Sequence, residues 1–226
     1  MTAYEILIDR GVTRLCHFTK FQSLTHILSS DYGVSSSSLI RQDMKNVTDK
    51  ERYDGELNYV CCSVQYPNSW FLKKAMQNNR DSIFIDWVVM YIKPTILKYR
   101  NAKFCPCNAS KNYGRYIEDN IDKIGMIFNE NLSTFKYSRS RNMLSCCPTD
   151  GQAEILIEKN IPRDYIYAIA VGNMDMAGRV YGLLKLYGLE NIDIYVAPKV
   201  LSNEWSEMAR NGKKPLETFC DFSKEE

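Results

Sequence analysis

The apolar residues of this chain come in short runs, and that brevity constrains its fold more than any motif does. Trp87 to Ile92 is such a run, far short of the roughly 20 residues that a helix needs to cross a bilayer. Its Trp, Val, Met, Tyr and Ile have the composition of a buried strand. No membrane association is expected. The chain has 226 residues, 45% hydrophobic and 25% charged, enough to bury one sizeable core, so a single domain over residues 1–226 is expected. The opening residues carry Glu5 and Asp9 and lack the basic region, apolar core and cleavage site of a secretory signal, so a cytoplasmic location is expected.

The runs fall into an order. Leu15 to Thr19 reads as a strand that passes into a helix over 21–28, where Phe21, Leu24, Ile27 and Leu28 share one face. Alternation puts His17 and Thr19 on the same side of that strand. Ser35 to Ser38 is read as a loop. A strand at Tyr59 to Val64, a turn at Pro67-Asn68 and a helix over 69–78 follow. A strand over 83–92 precedes Pro94, which opens a short helix. Ile117, Ile121, Ile124 and Phe128 recur at helical spacing. Residues 129–152 have neither period, and so long a connection is usually functional. Strands at Ala153 to Ile157 and Tyr165 to Val171, a helix bearing Met176, Val180 and Leu184, and a closing strand with Ile192, Ile194 and Val196 complete a mixed α+β chain.

Several enzyme classes drop out. There are only two histidines, and neither a nucleophile elbow nor a phosphate-binding glycine loop is present. The eight cysteines include no C-x-x-C pair, so they are read as thiols and no metal is expected. With 29 basic against 27 acidic residues, nucleic-acid affinity has to come from a local patch. His26 is read as a packing or surface residue. His17 either converges with Thr19 on a ligand or ties strand to helix. Glu154, at the start of an apolar strand, either faces solvent or enters a pocket at the mouth of the sheet, and position alone favours solvent. Arg52 sits in a charge cluster, solvated or functional. Lys136 to Arg141 interleaves three cations with Tyr137, which suits a single nucleic-acid strand and equally a solvated loop.

Taken together, Leu15-Cys16-His17-Phe18-Thr19 with Ser23-Leu24 and Ile27-Leu28, the stretch Asn46 to Arg52, and Gln152-Ala153-Glu154-Ile155-Leu156-Ile157 with Ile161-Pro162 and Tyr165-Ile166 resemble the DarT family. These are the DNA-directed ADP-ribosyltransferase toxins of bacterial toxin–antitoxin systems. The first stretch looks like the family's H-x-T strand and N-terminal helix, and the last like its glutamate strand. Ser23 stands where members often carry Asn.

The resemblance implies an ADP-ribosyltransferase-like split mixed sheet with flanking helices and NAD in its cleft. His17, Thr19 and Ser23 would hold NAD, Glu154 would be catalytic, and Arg52 would serve the pyrophosphate or the acceptor base. A loop at about 133–152 would select the target, with Tyr137, Arg139 and Arg141 on the DNA and Tyr66 and Asn68 beside the base. It further implies single-stranded DNA as substrate, guanine favoured over thymine, an antitoxin hydrolase of macrodomain or NADAR type, and a monomer. The competing readings are an RNA-directed transferase of related fold and a non-enzymatic single-strand-binding module.

Overall fold

The computed structural model describes residues 1–40, 53–78, 86–132 and 137–222. In chain order the strands are β1 (Leu15–Lys20), β2 (Val34–Ser35), β3 (Tyr59–Val64), β4 (Trp87–Ile92), β5 (Ala102–Cys105), β6 (Asn131–Leu132), β7 (Tyr137–Ser138), β8 (Glu154–Glu158), β9 (Asn160–Ile161), β10 (Ile166–Val171), β11 (Asp193–Val196) and β12 (Thr218–Phe219). The α-helices are α1 (Ala3–Asp9), α2 (Phe21–Leu28), α3 (Ser69–Asn78), α4 (Met174–Tyr187) and α5 (Glu204–Arg210). Eight strands form one sheet in the order β12-β11-β10-β4-β1-β3-β8-β5. Only the β10–β11 pair is parallel, and α4 supplies the crossover that parallel neighbours need.

The expected α+β class and large mixed sheet are those observed. All six residues of β4 are buried, which is why that run shows no alternation: it lies between β1 and β10. Helix α4 begins where the Asn173 side chain accepts the Met176 N–H and ends at Gly188, whose φ of 65° suits a residue without a side chain. Among the described residues no helix is long and apolar enough to cross a membrane.

Some expectations change. The recurrence at Ile117 to Phe128 resolves into a 3-10 helix confined to Ile121–Phe128, with Ile124, Ile127 and Phe128 buried. Ser35 is paired, as part of β2, with Asn160 of β9. Strand β11 does not close the chain, because α5 and the edge strand β12 follow. Strand β5 gave no signal, being four residues long and interrupted by Lys103, which pairs with Glu56 at 2.7 Å.

A buried cation organises one end of the sheet. Arg14, just before β1, donates from Nε to the Gln65 carbonyl at 2.8 Å and from both terminal nitrogens to the Glu217 carboxylate. Its guanidinium lies 3.9 Å from the centre of the Tyr91 ring, and the Tyr91 hydroxyl donates to Glu217 at 2.8 Å. Charge, fork geometry and ring stacking are all used, which only arginine supplies. The cluster fastens the start of β1, the end of β3 and the entry to β12. Removing one partner would strand the other charge in a buried place. We predict that Glu217→Ala lowers stability by about 3–5 kcal/mol in urea titrations, and that the double change Arg14→Met with Glu217→Leu recovers most of that loss.

Candidate functional site

Strands β1 and β3 are paired only at Leu15–Val64 and Cys16–Ser63; past those two they part. The next residue, His17, reaches across the gap, with Nδ1 2.8 Å from the Cys61 carbonyl oxygen. A carbonyl only accepts, so Nδ1 carries the proton and the ring is held in one orientation. The imidazole stands where a ladder hydrogen bond would otherwise be. Thr19, two residues on and buried, projects to the same side of β1. Ser23 follows in the first turn of α2. Its hydroxyl oxygen is buried and has no hydrogen-bond partner among the described residues. Such an atom costs about 1–3 kcal/mol, a cost that a bound polar ligand would offset.

Glu154 opens β8 directly opposite Ser63 on β3 and Cys105 on β5. Because Ser63 is in turn opposite Cys16, two ladder spacings, about 10 Å, separate the glutamate backbone from the strand that carries His17. The solvent-facing position that the sequence favoured for Glu154 is not the one found. The residue is 8% exposed, and its Oε2 accepts the Ala109 N–H at 2.8 Å. That amide belongs to the loop after β5, where Cys105, Cys107, Ala109 and Leu156 pack into a small apolar cluster. The neighbouring Cys107 thiol, 3.7 Å away, and burial push the Cys105 thiol far up, so it stays protonated. A buried carboxylate fixed by an amide donor beside an apolar cluster acts strongly on any positive charge brought to it.

Sequence reasoning missed this loop. Ala109 contributes a backbone group, which has no residue signature. Farther along, Asn112 and Tyr113 take positive φ of 50° and 57° before Gly114, and Tyr113 meets Tyr53 edge to face at 5.9 Å. The Asn-Tyr-Gly succession is a turn signal that could have marked it.

The other expected residues divide. Tyr137 and Arg141 are exposed, as a DNA contact requires. Arg139 is half-buried, and its guanidinium donates to the carbonyls of Cys147 at 2.7 Å and Leu144 at 2.5 Å, clamping the loop on itself. Tyr66 and Asn68 are corrected. Tyr66 is buried against Trp205, ring centres 5.1 Å apart, so neither ring face is open to a base. Asn68 is buried, and its Oδ1 accepts the Phe71 N–H at 3.1 Å to cap α3. His26 is exposed. Arg52 and residues 133–136 lie outside the described residues.

A family model described as "ssDNA thymidine ADP-ribosyltransferase, DarT" matches residues 16–205. No curated protein matches. Among solved structures, DarT from Thermus sp. 2.9 in complex with ADP-ribosylated single-stranded DNA is similar, with a TM-score of 0.58 at 14% identity over 79% of this chain and 90% of that one. DarTG from Thermosipho africanus in complex with ADP-ribose gives 0.57 at 18% identity over 84% of this chain and 51% of that one. The Thermus protein in complex with NAD+ gives 0.55 at 16% identity, over 78% and 90%. At these identities the likeness is one of fold.

The division of the loop arginines has a direct consequence. Arg139→Ala should lower stability by about 2–3 kcal/mol through two lost charge-assisted bonds and speed hydrogen exchange around Leu144 to Cys147. Arg141→Ala should stay within about 0.5 kcal/mol of the parent. Thermal melts and exchange mass spectrometry read both.

Proposed function

The chain belongs to the DarT family of single-stranded-DNA ADP-ribosyltransferases, and from that premise we propose how its residues carry out the transfer. The observation that carries the reading is the buried Glu154, held by the Ala109 amide beside the gap that His17 spans. NAD is the co-substrate and lies in that gap. The buried Ser23 hydroxyl, without a partner among the described residues, and the buried Thr19 support the fit. These side chains hold the riboses and the nicotinamide amide, and their contribution is alignment.

The reaction breaks the bond between nicotinamide nitrogen and ribose C1′ and forms one from C1′ to a nitrogen of the base. Nicotinamide leaves with the electron pair, and the ribose passes through an oxocarbenium-like state. Glu154 stabilises that charge, accepts a hydrogen bond from the 2′-hydroxyl and takes the proton that the base gives up. Arg52 serves the pyrophosphate or the acceptor base. The loop over 133–152 selects the strand, with Tyr137 and Arg141 on the DNA and Arg139 holding the loop's shape. A compact enzyme of small net charge suits a strand that is already unpaired, since no base has to be drawn from a duplex.

The base we propose is guanine, although the matched family is described by thymidine. The support is the small Cys61, in the parted stretch of β3, and the small Ser63, the last residue paired with β1 before it, which leave width for a purine. The chain acts as the monomeric, cytoplasmic toxin of a pair whose antitoxin hydrolyses ADP-ribose from DNA.

Two experiments test this. Glu154→Gln should cut transfer from NAD to a single-stranded oligodeoxynucleotide on the order of a hundredfold or more without changing the melting curve, and undiminished transfer would remove Glu154 from the mechanism. Four oligodeoxynucleotides, each lacking one base, and one RNA strand should be incubated with NAD and weighed by mass spectrometry. Only the guanine-free DNA and the RNA should stay unmodified. Modification that persists without guanine and disappears without thymine would overturn the choice of base, and modification of the RNA alone would favour the RNA-directed reading.

A further inference from the structure

Helix α3 carries an aromatic ring on the wrong face for packing. Its inner side is Leu72 and Ala75, buried, with Met76 half-buried against the core and Phe71 half-buried against Phe18. Its outer side is Trp70, Lys73, Lys74 and Gln77, all exposed, and the tryptophan is 60% open. Positions 70, 73 and 74 stand one turn apart and so form one patch. The helix contains no acidic residue, and among the described residues neither lysine has an ion-pair partner. The patch is therefore a flat apolar surface flanked by two uncompensated cations. The other tryptophans, Trp87 and Trp205, are 4% and 1% exposed, so the sequence does bury tryptophan elsewhere.

The patch is next to the site. Asn68, which caps α3, donates its N–H to the Ser63 hydroxyl at 2.8 Å, and Ser63 is the cross-strand partner of Glu154. From the other strand, Phe18, between His17 and Thr19, meets Phe71 with ring centres 5.7 Å apart. Helix α3 thus packs beside β1 and β3 near the point where they part, and its first turn carries the exposed Trp70.

We propose that the Trp70–Lys73–Lys74 face of α3 is a contact surface for the single-stranded DNA, with a base stacked on the indole and phosphates on the two lysines. This rests on the substrate class given above and adds to it a surface on the β3 side, separate from the loop that carries Tyr137 and Arg141. Charge complementarity and the exposed ring both fit a nucleic-acid strand, whose bases each present a flat π-face.

Trp70 supplies its own signal, since the other indoles are buried. The full chain carrying Glu154→Gln, so that DNA stays unmodified, is titrated with a mixed-sequence oligodeoxynucleotide while tryptophan emission and the anisotropy of a labelled strand are followed. DNA should quench the emission, and Trp70→Phe should abolish the quenching. Trp70→Ala should weaken binding roughly 5- to 150-fold, the range expected for one stacked base. Lys73→Gln with Lys74→Gln should flatten the salt dependence by about 1.4 in logarithmic slope, about 0.7 for each phosphate contact.

Tight DNA binding with unquenched emission and an unchanged slope would overturn the proposal and leave the family reading standing. Absence of any DNA binding, together with absence of transfer by the unsubstituted chain, would overturn both. Quenching by NAD alone would give the ring to the co-substrate. An emission shift with anionic vesicles or with rising protein concentration, and none with DNA, would give the face to a membrane or to a second copy. Either result would overturn the proposal.

Discussion

The arrangement depends on a strand pair that is fastened at one end and open at the other. Where β1 begins, Arg14 draws together the Gln65 carbonyl, the Glu217 carboxylate and the Tyr91 ring. Two residues later the ladder between β1 and β3 stops. A sheet interior cannot leave backbone donors and acceptors unmet without cost, so the opening persists only because other groups take over. His17 does so for the Cys61 carbonyl, while α3 packs on the flank, with the Asn68 N–H on the Ser63 hydroxyl and Phe71 against Phe18. The gap between strands is a built feature, and the closed end gives it a fixed width.

That construction separates two tasks along one strand. Residues up to Cys16 belong to the core, and burial pushes the Cys16 thiol up to about 12, so it stays neutral. Beyond it, His17 and Thr19 share one side of the strand, while Phe18 between them packs against Phe71 and Trp87. Glu154 on β8 is buried and held by the Ala109 amide of the loop after β5.

The legible parts were those with a local cause. Strands β1, β3, β4, β8 and β10, and helices α2, α3 and α4, follow from apolar runs or helical spacing that one window of sequence contains. His17, Thr19, Ser23 and Glu154 were selected by resemblance; the structure sets His17 against the Cys61 carbonyl and buries Glu154 on the strand next to β3. What stayed illegible has a non-local cause. Arg14 and Glu217 are 203 residues apart, and the Ala109 amide that holds Glu154 has no side-chain signature. Arg139 and Arg141 are the same residue type two positions apart, yet one is spent on Leu144 and Cys147 and the other is exposed. Tyr66 was placed beside the base by family likeness, and its burial against Trp205 has no signature in its own stretch of sequence.

The link between Arg14 and Glu217 also bears on the order in which the molecule is made. Every residue of the opening, from His17 to Glu154, leaves the ribosome before Glu217 does, so the nascent chain carries its reactive groups while the fastening of β1 to β3 is still incomplete. Contacts so distant along the chain form late and slowly. The fastening of β1 to β3 is therefore completed only after synthesis has passed Glu217, when the sheet up to β11 has already been made.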